Sequence, residues 1–287
     1  MKILYVTDHI KCAQQSGGFL NDYLNDLLFH GFTELKGIEV VDSTLIIHLY
    51  KENESKINKQ HLWGRGFTST FLIDEDNVNR NNIEEKIQDK YFDLIIYGSV
   101  HRCLDYYDLV SKIYDLNKVI MIDGNDDQNI HPLSEKHLYF KRELNSSKYI
   151  PISFAIPEEK ITKNKLPKIQ EYGSIIPGQG GYIFDNEQDY YDDYNKSYYG
   201  VTMKKAGWDC MRHYEILANN CIPYFTDLEE CPPQILTTLP KELLLEGKEL
   251  VNNFDEQKYF NILSELFDYT KNNLTTKHLA QYVLNHV

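Results

Sequence analysis

The stretch FDLIIYGS, residues 92–99, and the stretch KVIMIDG, residues 118–124, decide the fold class. Each is a short unbroken apolar run closed by turn-forming residues, the pattern of a strand buried on both faces. Between them, residues 104–116 carry apolar side chains at helical spacing. Strand, helix and strand in that order form the crossover unit of a parallel sheet, whose neighbours cannot be joined by a tight turn. Toward the N-terminus, residues 2–7 form another β-rich run, followed by a loop holding Gly17 and Gly18. A helical stretch over 19–35 comes next, with Tyr23, Leu27, Leu28 and Phe32 at helical spacing. This order is the opening unit of a doubly wound sheet. Extended segments are expected at Val40-Val41 and 44–49, a helix at 84–90, and two more strands at 137–144 and 149–156. The polar stretch 51–82, with its Trp63-Gly64-Arg65-Gly66-Phe67 island, reads as a surface insertion or a mobile lid.

Residues 157–170 are charged and hold Pro157 and Pro167, so they read as a linker between residues 1–157 and 171–287. Beyond it, 198–203 is strand-like, 209–220 helical and 221–225 a strand, with mostly helix to the end. The acidic run 185–193 reads as low-complexity sequence. The expected architecture is α/β: two Rossmann-like domains facing a cleft, the second one small.

Bulk properties narrow the function classes. Among 287 residues, 43 are acidic and 30 basic, giving a net charge of −13. A chain that grips duplex nucleic acid usually presents a basic face, so nucleic acid is disfavoured as the main partner. No apolar run approaches the length of a membrane span. The N-terminus lacks a signal-peptide pattern, and the five cysteines form no C-x-x-C pair, which together lead us to expect a reducing, cytoplasmic setting. The 22 tyrosines, clustered at 190–199, suit a half-wet cleft or reflect a composition bias of the whole chain.

The segment GWDCMRHYEILANNCIPYF, residues 207–225, carries the candidate chemistry. Asp209 is of the N-cap type and Asn220 tolerates the left-handed conformation that ends a helix. Between them Met211, Tyr214, Leu217 and Ala218 share an apolar face, while Arg212, Glu215 and Asn219 share another. A carboxylate accepts from both hydroxyls of a ribose, and a guanidinium forks onto a diphosphate. The same spacing also describes a plain i, i+3 surface ion pair of little energetic weight.

This segment resembles the nucleotide-site helix of GT-B-type glycosyltransferases, where a pattern close to R-x-x-E-x-L-A-x-G-C-x-P runs from helix into strand. Asn220 stands here at the usual glycine. The resemblance implies that Glu215 holds the donor ribose and that Arg212 lies near the phosphates. It also implies that SYYGVTMKK, residues 197–205, flanks the donor, bringing in Ser197, Thr202, Lys204 and Lys205. The donor would be a nucleoside-diphosphate sugar held by the C-terminal domain, with no metal and no other cofactor. The acceptor, bound by the N-terminal domain, would be a glycan, a lipid-linked sugar or a protein. Alternative readings are a non-catalytic sugar-nucleotide or glycan-binding module of the same fold and a nucleic-acid base glycosyltransferase.

Further candidates sit where strands end. Asp123 and Asp127, in DGNDD at 123–127, are candidate general bases, or members of a turn that closes a strand. His101 follows another strand end. Arg142, in YFKRE, would need Glu143 or a ligand phosphate as partner if buried. Gly17 and Gly18 would let backbone N–H groups approach a phosphate or an acceptor, or form a tight turn.

Overall fold

A computed structural model describes residues 1–15, 17–179 and 183–287. The first half is built on β1 (Lys2–Val6), α1 (His9–Gln15), α2 (Tyr23–Thr33), β2 (Glu39–Asp42) and α3 (Ile83–Gln88). It continues through β3 (Leu94–Tyr97), α4 (Tyr107–Ile113), β4 (Val119–Asp123), β5 (Leu138–Lys141) and β6 (Ile150–Pro151). These strands form one parallel sheet in the order β2-β1-β3-β4-β5-β6. The second half holds β7 (Gln170–Tyr172), α5 (Glu187–Asn195), β8 (Ser197–Thr202), α6 (Met211–Ala218) and β9 (Ile222–Phe225). Its three strands are parallel in chain order. Helices α7 (Lys241–Glu249), α8 (Glu256–Asn273) and α9 (Thr276–Leu284) complete the chain. The two parallel sheets, the second small, are the expected α/β architecture.

Local chemistry explains the boundaries. The Asp22 carboxylate accepts from the Asn25 amide, so α2 starts at Tyr23 and not at residue 19. The Asp8 carboxylate accepts from the Ile10 and Lys11 amides and starts α1, a helix that separates β1 from Gly17 and Gly18 and that the sequence reading missed. Residues 44–49 are not a strand. The Asp42 carboxylate takes the Ile46 amide at 3.1 Å and turns the chain into a 3₁₀ segment, Ile47–Leu49. The expected strand at 149–156 shrinks to two residues, because the Phe154 amide is drawn to the Asp209 carboxylate. The acidic run is helix α5, capped by Asn186, with Tyr190, Tyr191 and Tyr194 buried beneath its charged face. Asn220 ends α6 at φ 52°, as its residue type suggests.

One apolar cluster joins the two halves, from Ile3, Phe29 and Ile122 through Tyr199 and Leu217 to Phe267 and Val283. Helix α9 returns to the first half and lies on α2, while Ile156 and Thr275 form a parallel bridge. The fit is close at Gly31, where an added Cβ would lie 2.0 Å from the Thr276 carbonyl oxygen. No helix of the described residues is long and apolar enough to cross a membrane. We predict that Gly31→Ala pushes α9 off α2 and lowers stability by about 1–3 kcal/mol in urea denaturation. An unchanged midpoint would contradict this close approach.

Candidate functional site: the cleft between the two sheets

The floor of the cleft is set by a buried arginine. Arg142 follows β5, is 2% exposed, and lies with its guanidinium 4.6 Å from the Phe154 ring centre. It donates to the Gly124 carbonyl at 3.0 Å, the Asp209 carbonyl at 2.5 Å, Glu143 at 3.2 Å and the Asp126 carboxylate. From the second half, the Asp209 amide donates to Glu143 at 2.9 Å. The Asp209 carboxylate accepts from the Phe154 amide at 2.7 Å and the Tyr214 hydroxyl at 3.0 Å. Burial pushes the Asp209 carboxyl up to about 7, with the Arg142 charge opposing. Asp209 is therefore a seam residue and not the helix cap expected of it. Cys210 takes the N-cap position of α6 without any side-chain hydrogen bond.

An opening of about 670 Å³ lies above this floor. Its walls include Asp22, Trp63, Arg102, Asp126 and Asp127 from the first half, and Lys205, Arg212 and Glu215 from the second. Arg102 is paired with Asp22 at 2.6 Å. Burial, and next the neighbouring Arg212 charge, lower the Lys205 ammonium from its ordinary range. Two cations thus gather at an uncapped helix N-terminus, a setting that favours an anion. Glu215 lies one turn further in and is 6% exposed, which removes the surface ion-pair reading. Its two oxygens accept from the Thr68 hydroxyl at 2.6 Å and the Tyr190 hydroxyl at 2.5 Å. Burial raises its carboxyl, against these two hydrogen bonds and Arg212.

The other candidates separate. Asp127 lines the cleft and is exposed, its carboxylate also accepting from the Asn129 amide. Asp123 is fully buried and accepts from His101, Tyr139, Lys141 and the Asn125 amide. Burial opposes ionisation, but His101, Lys141 and Tyr139 together hold this carboxyl below its ordinary value, so it is a poor base. His101 stays beside Asp123 and is not among the cleft-lining residues. Ser197 is buried in β8, donating to the Asp193 carbonyl and accepting from Gln170. The Thr202 hydroxyl meets His213, and Lys204 lies 5.0 Å over the Trp208 ring outside the cleft. Gly17 and Gly18 adopt φ 74° and 98° in open space away from the cleft lining, so they form a turn.

The sequence reading missed Thr68 and Tyr190 as partners of Glu215. Residues 51–82 are not a surface insertion; part of them is a strap that reaches the second half. Asn21 anchors it by accepting from the Trp63 amide at 2.6 Å. Arg65 donates to the Phe184 carbonyl at 2.5 Å and pairs with Asp185 at 2.8 Å. The Thr68 amide donates to Glu187 at 2.5 Å. The only available signal was the pair of glycines at 64 and 66, both at positive φ. Among the described residues, no group of three or more His, Cys, Asp or Glu side chains is gathered to hold a metal ion.

No family model and no curated protein matches the sequence. The chain is similar to the crystal structure of MurG from Acinetobacter baumannii, at 10% identity and a TM-score of 0.39, covering 99% of each chain.

The loop entering α6 is pinned by a histidine. His213 is fully buried; its Nε2 donates to the Trp208 carbonyl at 2.8 Å and its Nδ1 accepts from the Thr202 hydroxyl at 2.8 Å. The carbonyl can only accept, which assigns the tautomer. Burial pushes this imidazole down to about 3 from an ordinary 6.5. A depressed folded-state value gives stability that is complete above pH 6.5 and is lost as pH falls toward 3. His213→Asn should therefore be less stable at neutral pH and lose less on acidification, by up to ~1.4 kcal/mol per pH unit. Urea denaturation of both proteins between pH 7.5 and 4 measures this, and parallel profiles would contradict it.

Proposed function

We propose that the chain is a glycosyltransferase that takes a sugar from a nucleoside-diphosphate donor bound at the N-terminus of α6. The observation that carries this reading is one juxtaposition. An uncapped helix start, Arg212, Lys205 and the buried carboxylate of Glu215 all border one cleft between two parallel sheets. The diphosphate would lie against the helix N-terminus and the two cations, and Glu215 would accept from the ribose hydroxyls. As the anomeric carbon–oxygen bond to the diphosphate breaks, the helix dipole and both cations would stabilise the departing charge without requiring a metal. The acceptor hydroxyl would enter from the first half, and Asp127 would take its proton as the new glycosidic bond forms. Asp123 and His101 have no part in this scheme. The acceptor is a glycan, a lipid-linked sugar or a protein.

Thermal shift with UDP, GDP, ADP and CDP, followed by transfer and hydrolysis assays with the corresponding sugar nucleotides, tests the proposal. At least one nucleoside diphosphate should raise the melting temperature. Arg212→Ala should weaken that diphosphate by roughly 10- to 100-fold, as expected for a lost charge-assisted hydrogen bond, and leave the parent nucleoside nearly unaffected. Failure of all four to bind would refute the donor site, and binding without any turnover would make the chain a sugar-nucleotide-binding module.

A further inference from the structure

The strap over the cleft touches the residue on which the donor reading turns. Thr68 is fully buried and adopts φ 72°, a left-handed conformation that β-branched residues avoid. Gly64, Arg65, Gly66 and Phe71 are also at positive φ. Such a backbone persists only where surrounding contacts hold it. The contacts here come from the second half: Glu187 takes the Thr68 amide, and Tyr191 and Glu215 meet its hydroxyl, both at 2.6 Å.

The two hydroxyls on Glu215 differ in origin. Tyr190 belongs to α5, packs on Phe67, Tyr191 and Tyr194, and is 4% exposed. Thr68 arrives on a strained loop from the other half of the chain. Two O–H groups on one carboxylate reproduce what the neighbouring hydroxyls of a ribose would present. We infer that the strap is the gate of the donor site: the Thr68 hydroxyl occupies on Glu215 the place of a ribose hydroxyl, and the strap lifts from α5 and α6 when a nucleoside diphosphate binds. This rests on the donor reading proposed above and adds that Thr68 competes with the ligand.

Competition has a definite sign. If only the open strap admits the ligand, the apparent dissociation constant is the intrinsic one divided by the open fraction. Thr68→Val keeps the branched shape and deletes the hydroxyl, so it favours opening. Arg65→Ala removes strap anchors at Phe184 and Asp185, away from Glu215, and should act in the same direction.

The test is titration calorimetry of wild type, Thr68→Val and Arg65→Ala with UDP, GDP, ADP and CDP. The expected result is about tenfold tighter binding in Thr68→Val, with a smaller gain in Arg65→Ala, for whichever nucleotide binds. Binding seen only in the variants supports the gate equally. Unchanged or weaker binding in Thr68→Val, with wild type still binding, overturns the gate and leaves the donor site standing. No binding of any of the four to any of the three proteins overturns both.

Discussion

The buried guanidinium of Arg142 is the constraint on which the cleft depends. Its donors reach the backbone at Gly124 and the Asp126 carboxylate in the first half and the Asp209 carbonyl in the second. Glu143 answers by accepting from both Arg142 and the Asp209 amide. Beside it, Lys141 and Asp123 form a second buried pair at 3.0 Å, on partner positions of β5 and β4. Charges this deep are stable only in company, and removing one partner of a buried pair typically costs about 3–5 kcal/mol. The carboxyl edge of the first sheet is thereby locked to the loop that starts α6. A rotation between the halves would break the buried hydrogen bonds that Arg142, Glu143 and Phe154 make with Asp209, so the walls of the cleft keep their spacing.

The same network shapes the chemistry of α6. A helix beginning Asp-Cys-Met would ordinarily be capped by the aspartate. Here that carboxylate is drawn into the seam by Phe154 and Tyr214, and the residue at the N-cap position, Cys210, makes no side-chain hydrogen bond to the helix amides. The positive end of the dipole is left facing the opening, next to Arg212 and Lys205. His213 holds the entering loop from behind. An anion-favouring helix end thus follows from a displaced cap, with the fold and not the local sequence deciding where Asp209 goes.

Much of the first sheet was legible in the sequence, because strands buried on both faces leave short unbroken apolar runs bounded by turn-forming residues. The runs ending at Val6, Tyr97 and Ile122 are of this kind. Residues 44–49 look equally apolar, yet Asp42 turns them, an effect of one carboxylate on one amide that composition does not carry. Helix α5 was obscured by its charge: an acidic outer face masks the tyrosines that it buries. Of the residues singled out in the sequence, Arg212, Glu215, Lys205 and Asp127 line the cleft. Asp123 and Arg142 were recognised as polar groups at strand ends, but only the packed structure shows their partners. Thr68 was beyond reach, since it meets Glu215 across 147 positions of sequence through a loop with no periodicity.

Hydrogen–deuterium exchange with a saturating nucleoside diphosphate tests the central claim most directly, because it reports where the ligand sits as well as whether it binds. The account predicts slowed exchange at 203–216, centred on the first turn of α6. Binding with protection elsewhere and none at α6 would contradict it.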